Sequence, residues 1–480
     1  MPHLSIYATL MEHAARQPQA EALVFDDRRV SYAEFCDQVS SFASWLTNEG
    51  LTPGQATGVC ITDERRHLIC TMALLCLGTP QMSLGAHEVD SNKRALARKA
   101  NITQLVVQQR EGWMEGLKTI VAPQNCPVSR NAPPDLFPSR TLDTVGLYHN
   151  TSGSTNVPKT FGMTLERLLK GAKRYAENPR ERRALRTGSI EFDAHRLQRI
   201  CALLAGNTCV FARDLNPSSI VALCANAEVS LIHLNAYKLA SLAHAATSEC
   251  RLPSCTGILS GGSRVPGALR HRVKAFLTEE LWVLYATSET GMISRANPDE
   301  HELFPEGVGY PAPDVTFEIL GRSGKPVRPG EIGRIRVHKS TMAKGYVLEP
   351  AGVASHYQDG WFNPGDLISQ EEGEPLVFHG RADDVMILNG INIFPSAIED
   401  TLESHPDVRE AIAYPVKSRI HGDIPVAAVV MQGQRQANPV ELLNYCRQSL
   451  GVRAPRQIRI VESIPRNTGG KPLRGQMAES

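Results

Sequence analysis

Nine consecutive residues, Thr151-Ser152-Gly153-Ser154-Thr155-Asn156-Val157-Pro158-Lys159, concentrate the chemistry of this 480-residue chain. Four hydroxyl side chains and one glycine fill the first five positions, and a lysine follows behind a proline. Glycine lets backbone N–H groups approach phosphate oxygens closely, hydroxyls add donors, and lysine adds a point charge. That combination suits grip on a nucleoside triphosphate. The spacing is not G-x-x-x-x-G-K-[ST], so the P-loop mechanism is not implied. Taken alone, the stretch also reads as an ordinary Ser/Thr/Gly turn.

Other segments carry chemistry that is weak singly. Tyr285-Ala286-Thr287-Ser288-Glu289-Thr290-Gly291 places a carboxylate just past a strand end, where it is able to hold Mg²⁺ or simply face solvent. Ser260-Gly261-Gly262-Ser263 is small enough for a flat ring to lie against its backbone. Pro364-Gly365-Asp366 is a turn sequence found in any protein, yet Asp366 has the acceptors to bind a diol. Gly380-Arg381-Ala382-Asp383-Asp384 reads equally as a salt-bridged surface turn. Lys471, behind Gly469-Gly470, otherwise reads as part of a solvated tail.

The elements that must position these residues alternate strand and helix. Ser31-Tyr32-Ala33-Glu34 is a capping box that opens a helix to about Asn48. Strand signals follow at 56–61, 104–108, 145–149, 208–211, 229–233, 257–259 and 281–285. Helix signals fall at 65–77, 165–176, 218–225, 236–246 and 267–277. Residues 122–140, rich in Pro, Asn and Ser, suggest a surface connection. From about 305, Gly and Pro punctuate short β-like runs such as 316–320 and 333–338. The last hundred residues read as a small α+β module with strands at 385–388, 411–416 and 426–431 and helices at 395–404 and 440–450. The expected class is α/β: a large N-terminal region of layered α/β subdomains with largely parallel sheets, a β-rich subdomain, and a small mobile α+β C-terminal domain. The division falls at 1–382 and 383–480.

Bulk numbers exclude several classes. A net charge of +1 gives no reason to expect nucleic-acid binding. The eleven cysteines include no C-x-x-C pair, which suits a reduced, cytoplasmic protein. The first residues lack a signal-peptide pattern, the apolar run Met72–Leu77 is too short to span a bilayer, and no fused carrier domain is expected after Ser480.

In order, these segments resemble those of the AMP-forming, adenylate-forming ligases: acyl- and aryl-CoA synthetases, amino-acid-activating domains of peptide synthetases, and luciferases. The likeness runs from Ala20 to Arg474. The family's phosphate loop reads T-S-G-[ST]-T-G-x-P-K; Asn156 replaces its glycine, and Asn tolerates a left-handed backbone better than most residues. By this resemblance Thr151, Ser152, Gly153, Ser154, Thr155 and Lys159 hold the β- and γ-phosphates. Gly261, Gly262 and Ser263 lie against adenine, and Tyr285, Ala286, Thr287 and Ser288 complete the nucleotide site. Glu289 holds Mg²⁺ with Thr155 as its partner, and Asp366 anchors the ribose with Arg381. Asp383 is the hinge, and Gly390 lines the tunnel of an incoming phosphopantetheine thiol. Lys471 is the catalytic lysine of the first half-reaction. Lys159, Lys471 and Glu289 are the catalytic set.

The implied chemistry brings a carboxylate onto the α-phosphate of ATP, releasing pyrophosphate, and a thiol of CoA or of an acyl or peptidyl carrier protein then displaces AMP. The acid is harder to name. Phe192-Asp193-Ala194-His195 resembles the F-D-x-x segment of amino-acid-activating domains, where the aspartate pairs with the substrate's ammonium, but His195 fits an aryl acid equally. A small carboxylic acid, aryl or medium acyl, is the first expectation. A stand-alone amino-acid or β-amino-acid adenylating enzyme that loads a carrier is the second. A catalytically inactive nucleotide-binding sensor is the third, resting on the departures at Asn156, Ala286 and Pro364.

Overall fold

A computed structural model describes residues 3–25, 28–125, 136–151, 159–347, 356–433, 438–467 and 470–479. Ser152, Gly153, Ser154 and Thr155, and with them Asn156, Val157 and Pro158, lie outside the described residues.

The strand–helix alternation becomes two large sheets. One has six strands in the order 159–164, 145–151, 81–83, 57–60, 104–107, 118–121; the other has nine, with 281–287, 257–261, 231–235 and 183–186 adjacent near its middle. Neighbours in the middle of each sheet are parallel. One flank of the six-stranded sheet and both flanks of the nine-stranded sheet are antiparallel, which the sequence does not separate from the parallel core, while the 118–121 edge stays parallel. Two of those pairs matter for the site, because their ends, Thr151 with Lys159 and Thr287 with Gly291, line the cleft.

The Glu64–Cys76 helix lies at the centre, with every residue from His67 to Cys76 buried. A helix apolar on all sides must be enclosed, and this one belongs to the core cluster that also takes in the Tyr32–Asn48 helix and the buried face of the Asp193–Leu204 helix. Each fully buried leucine or isoleucine on it contributes about 1.5–3 kcal/mol of apolar burial. The Asp193–Leu204 helix is new; the sequence reading took 192–195 only as a motif. The Asp90–Lys99 helix was also unforeseen. Ser31 caps the Tyr32–Asn48 helix, accepting from the Glu34 N–H at 3.2 Å.

Past residue 310 an antiparallel sheet is built from 316–320, 333–338, 361–362, 366–369 and 377–381. A one-turn helix, Ala382–Asp384, leads from it into a final sheet. There the long hairpin Val408–Ser418 and Gly422–Met431 pairs at one side with Met386–Leu388 and, in parallel, with Gln457–Ile460. The Pro395–Glu403 and Pro439–Leu450 helices cover it and close a core of its own. Among the described residues, no helix is long and apolar enough to cross a membrane.

Candidate active site

A cleft of about 2270 Å³ runs between the large N-terminal region and the terminal α+β module. Most small-molecule sites hold about 300–1,000 Å³, so this one has room for a nucleotide and a second substrate.

Strand register sets its floor. Lys159 pairs with Thr151 at the end of an antiparallel hairpin, so these two residues bracket 152–158. A second hairpin pairs Thr287 with Gly291, which puts Glu289 at its tip. Thr287 Oγ1 accepts from the Thr290 N–H at 3.1 Å and Gly291 adopts φ +73°, as the tight turn requires. Glu289 is buried and lines the cleft with Lys159 and Thr151.

Tyr346 joins the two hairpins. Its hydroxyl donates to Glu289 Oε1 at 2.6 Å, and the Lys159 ammonium sits 5.4 Å from its ring centroid. The sequence reading missed Tyr346. Arg167 supports the same turn by donating to the Ser288 carbonyl at 2.8 Å. A Tyr346→Phe variant frees the carboxylate and keeps the ring. A hydrogen bond to a charged group contributes about 1.5–3 kcal/mol, so we expect nucleotide-dependent turnover to fall about tenfold at saturating Mg²⁺. The apparent Mg²⁺ requirement, measured by titration, should rise with it.

The diol-binding candidate is a matched pair. The register sets Arg381 directly opposite Asp366. Arg381 donates to Asp366 Oδ1 at 3.3 Å and Tyr285 donates to Oδ2 at 2.7 Å. Burial raises the Asp366 carboxyl pKa against the pull of Tyr285, Arg381 and Lys471. The charge of Lys471 therefore reaches Asp366 from the terminal module, and Lys471 lines the cleft along with Lys159. Gly261 is pressed against the neighbouring strand, where a Cβ would meet the Leu284 carbonyl oxygen at 2.8 Å. Gly262, at φ +83°, has nothing within 4 Å of where a Cβ would stand, which leaves an open flank for a flat group. Ser263 follows at the exposed rim, and Ala286, Thr287 and Ser288 continue the wall.

Asp193 and His195 both line the cleft, on the first turn of the Asp193–Leu204 helix. Asp193 is engaged internally: Oδ1 pairs with Arg196 at 2.5 Å and Oδ2 accepts from the Asn150 N–H at 2.5 Å. Arg196 is fully buried. Burial drives the His195 imidazole pKa down to about 3, so it is neutral at physiological pH. Two residues are not brought in. Asp383 is exposed on the connecting turn, 3.7 Å from Arg381. Gly390 lies at φ +82° in an exposed turn of the terminal module and is not part of the cleft wall.

Carboxylates also gather where the Pro395–Glu403 helix meets the cleft. Burial pushes the Glu403 carboxyl up to about 7; the neighbouring Glu399 adds to this, while the Ala411 N–H and the cations Arg264 and Arg466 oppose it. A raised acid pKa means that the native state holds the proton longer than the unfolded chain does. Its stabilising effect is therefore present at low pH and is lost as pH rises toward 7. Glu403→Gln should flatten that loss, on the order of 2 kcal/mol between pH 5 and pH 8, in urea unfolding followed across pH.

Comparison with known proteins decides the family. The model described as AMP-binding enzyme matches residues 10–347, and that of the AMP-binding enzyme C-terminal domain matches 397–471. The chain belongs to the AMP-binding enzyme family. It is thus an AMP-forming, adenylate-forming ligase of the acyl-CoA-synthetase type. It is 26% identical to a feruloyl-CoA synthase of an Amycolatopsis species over 97% of each chain. It is also 26% identical to a linear gramicidin synthase chain of Brevibacillus parabrevis, covering 96% of this chain but 6% of that one. The o-succinylbenzoate CoA synthetase of Bacillus subtilis, solved with its acyl-adenylate intermediate, superposes with a TM-score of 0.85 at 22% identity, over 100% of this chain and 99% of the other. The fold, with its large N-terminal and small C-terminal parts, is shared with that solved structure.

Proposed function

We propose that this AMP-binding enzyme joins a small, amine-free carboxylic acid, aryl or medium acyl, to AMP and then passes the acyl group to a phosphopantetheine thiol. The observation that carries the reading is the convergence of Lys159 and Lys471, remote in sequence, on one cleft that also holds Asp366 and Glu289. The names of the relatives, CoA synthases above all, support the same chemistry.

Two anions, a carboxylate and a triphosphate, must meet, and that encounter needs cations. Lys159 faces the outgoing phosphates and Lys471 bridges the acid and the α-phosphate. Asp366, fixed by Tyr285 and Arg381, accepts from the ribose diol. The Glu289 carboxylate is the hard oxygen donor that Mg²⁺ prefers, with Thr155 as its proposed partner. Mg²⁺ generally keeps several waters and is bound through one or two carboxylates together with substrate phosphates, which a single carboxylate such as Glu289 would suit. When bound, Mg²⁺ neutralises charge on the leaving pyrophosphate. Lys471 serves only the first step, so a rotation of the module about Asp383, taking 1–382 and 383–480 as the two bodies, withdraws it and brings Gly390 to the thiol path.

Asp193 supports an amine-free acid. Both of its oxygens already have partners, and Arg196 already balances its charge. A neutral His195 at the same wall suits an uncharged aryl group or acyl chain. The thiol belongs to CoA or to a carrier protein; a reducing cytoplasm fits the ten described cysteines, which form no disulfide with one another.

Pyrophosphate release over a panel of aryl, fatty and amino acids, each with ATP and Mg²⁺, tests the reading. Release with aryl or medium acyl acids, followed by thioester formation with CoA, is the expected result. Release with amino acids alone would move the assignment to a carrier-loading enzyme. Silence across the panel would leave a nucleotide-binding sensor.

A further inference from the structure

We propose that Tyr237 is a positioning residue for Lys471: it forms, with Arg466, a dock that holds the lysine turn at the cleft during adenylation and releases it afterwards. This rests on the reading of Lys471 given under the proposed function.

The turn is closed on itself. Asn467 accepts the Lys471 N–H at 2.9 Å through its side chain and donates its own N–H to the Lys471 carbonyl at 2.9 Å. Arg466 donates to the Gly470 carbonyl at 2.7 Å. These bonds tie the described residues of the turn, Arg466, Asn467, Gly470 and Lys471, to one another, and an ion pair from Arg466 to Glu410 ties them to the module's own sheet. The turn's seat against the cleft is set by the large N-terminal region. The Arg466 guanidinium stacks 4.5 Å from the centroid of the Tyr237 ring. Gly470 lies against the start of the Ala236–Ala245 helix, where an added Cβ would stand 3.1 Å from Asn235 Nδ2 and 3.3 Å from Tyr237 Cβ. Asn235 is itself fixed as the cap of that helix, accepting from the Lys238 N–H at 2.8 Å. A second tie, from Arg264 to Asp400, holds the module on the same side.

Tyr237 is 44% exposed although its ring carries this contact. A large aromatic residue left half in solvent gains little from burial, and a cation–π contact is strong enough to bias a docked state yet weak enough to let go. That balance suits a contact made and broken once per turnover.

The test separates the half-reactions, with the acid identified by the pyrophosphate screen. Tyr237→Ala should lower kcat for acid-dependent pyrophosphate exchange roughly tenfold, the scale of one partly desolvated cation–π contact, with little change in the KM for ATP. Tyr237→Phe keeps the ring and should restore exchange. Thioester formation from supplied acyl-adenylate should be unchanged in both. Wild-type exchange in Tyr237→Ala, or an equal fall in both half-reactions, would overturn the dock. Lys471→Ala distinguishes the two levels: if it retains exchange, the assignment of Lys471 fails; if it loses exchange while Tyr237→Ala does not, only the dock fails. A readout independent of the acid is a disulfide trap in a Tyr237→Cys/Gly470→Cys variant, because the Cβ separation is close to that of a disulfide. Oxidation should cross-link the pair, seen by mobility without reductant, since even transient docking is captured. No cross-link after exhaustive oxidation would overturn the proposal.

Discussion

Lys471→Ala should lose acid-dependent pyrophosphate exchange by about 10²–10³-fold while ATP still binds and thioester formation from supplied acyl-adenylate proceeds. The asymmetry follows from what each step needs. In the first, a carboxylate attacks a phosphorus surrounded by negative oxygens, and a preorganised ammonium lowers the repulsion at the moment of approach. In the second, a thiol attacks a carbonyl whose leaving group is already good. Lys471 belongs to a module that also supplies the proposed Gly390 path, and in this arrangement the lysine is at the cleft and the glycine is not. Calorimetric titration with ATP checks that the nucleotide still binds. Equal loss of both half-reactions would assign Lys471 a structural task instead.

Asp193→Ala should cost about 3–5 kcal/mol of stability, whichever acid is the substrate, because it leaves the guanidinium of Arg196 buried without its counter-charge. Arg196 is fully enclosed, and among the described residues its other acceptor is the Tyr148 carbonyl, at 3.3 Å. Its Nε and Nη1 are buried without a partner among those residues. Asp193→Ala also leaves the Asn150 N–H, one residue from the hairpin end at Thr151, without its acceptor. Guanidinium chloride unfolding measures the loss. Pairing the change with Arg196→Met removes the stranded charge and should recover much of it. A single variant with wild-type stability and a defect confined to amine-bearing acids would return Asp193 to the role of an ammonium partner.

The contrast between these residues shows how far sequence reading reaches. Lys159, Glu289, Asp366 and Lys471, which line one cleft, could be singled out because each stands in a short segment whose local composition is unusual and whose order along the chain is informative. The helices at 32–48 and 165–177 were legible because capping and periodicity are local properties. Tyr346 was not, since it sits in an ordinary Gly-Tyr pair and meets Glu289 across 57 residues of chain. The Tyr285 bond to Asp366 spans 81 residues, although both partners stood in marked segments. The pairing of Asp193 with Arg196 is a helix i, i+3 contact and was within reach. It was overlooked because the helix itself was not recognised, and an arginine there reads as surface until burial is known.

By itself, then, the chain's order of residues determined which groups are available: the loop of hydroxyls, the two lysines, the acidic hairpin tip, the Pro-Gly-Asp turn, and the alternation that builds layered sheets. Tertiary structure decided which of those groups are spent and which are free. It engaged Asp193 with Arg196, set Arg381 opposite Asp366, tied Glu289 to Lys159 through Tyr346, and put Lys471 at the cleft with Gly390 outside it. The reason is that type and spacing are short-range properties, whereas charge balance and hydrogen-bond satisfaction depend on neighbours brought in by sheet register and by the docking of one folded part on another.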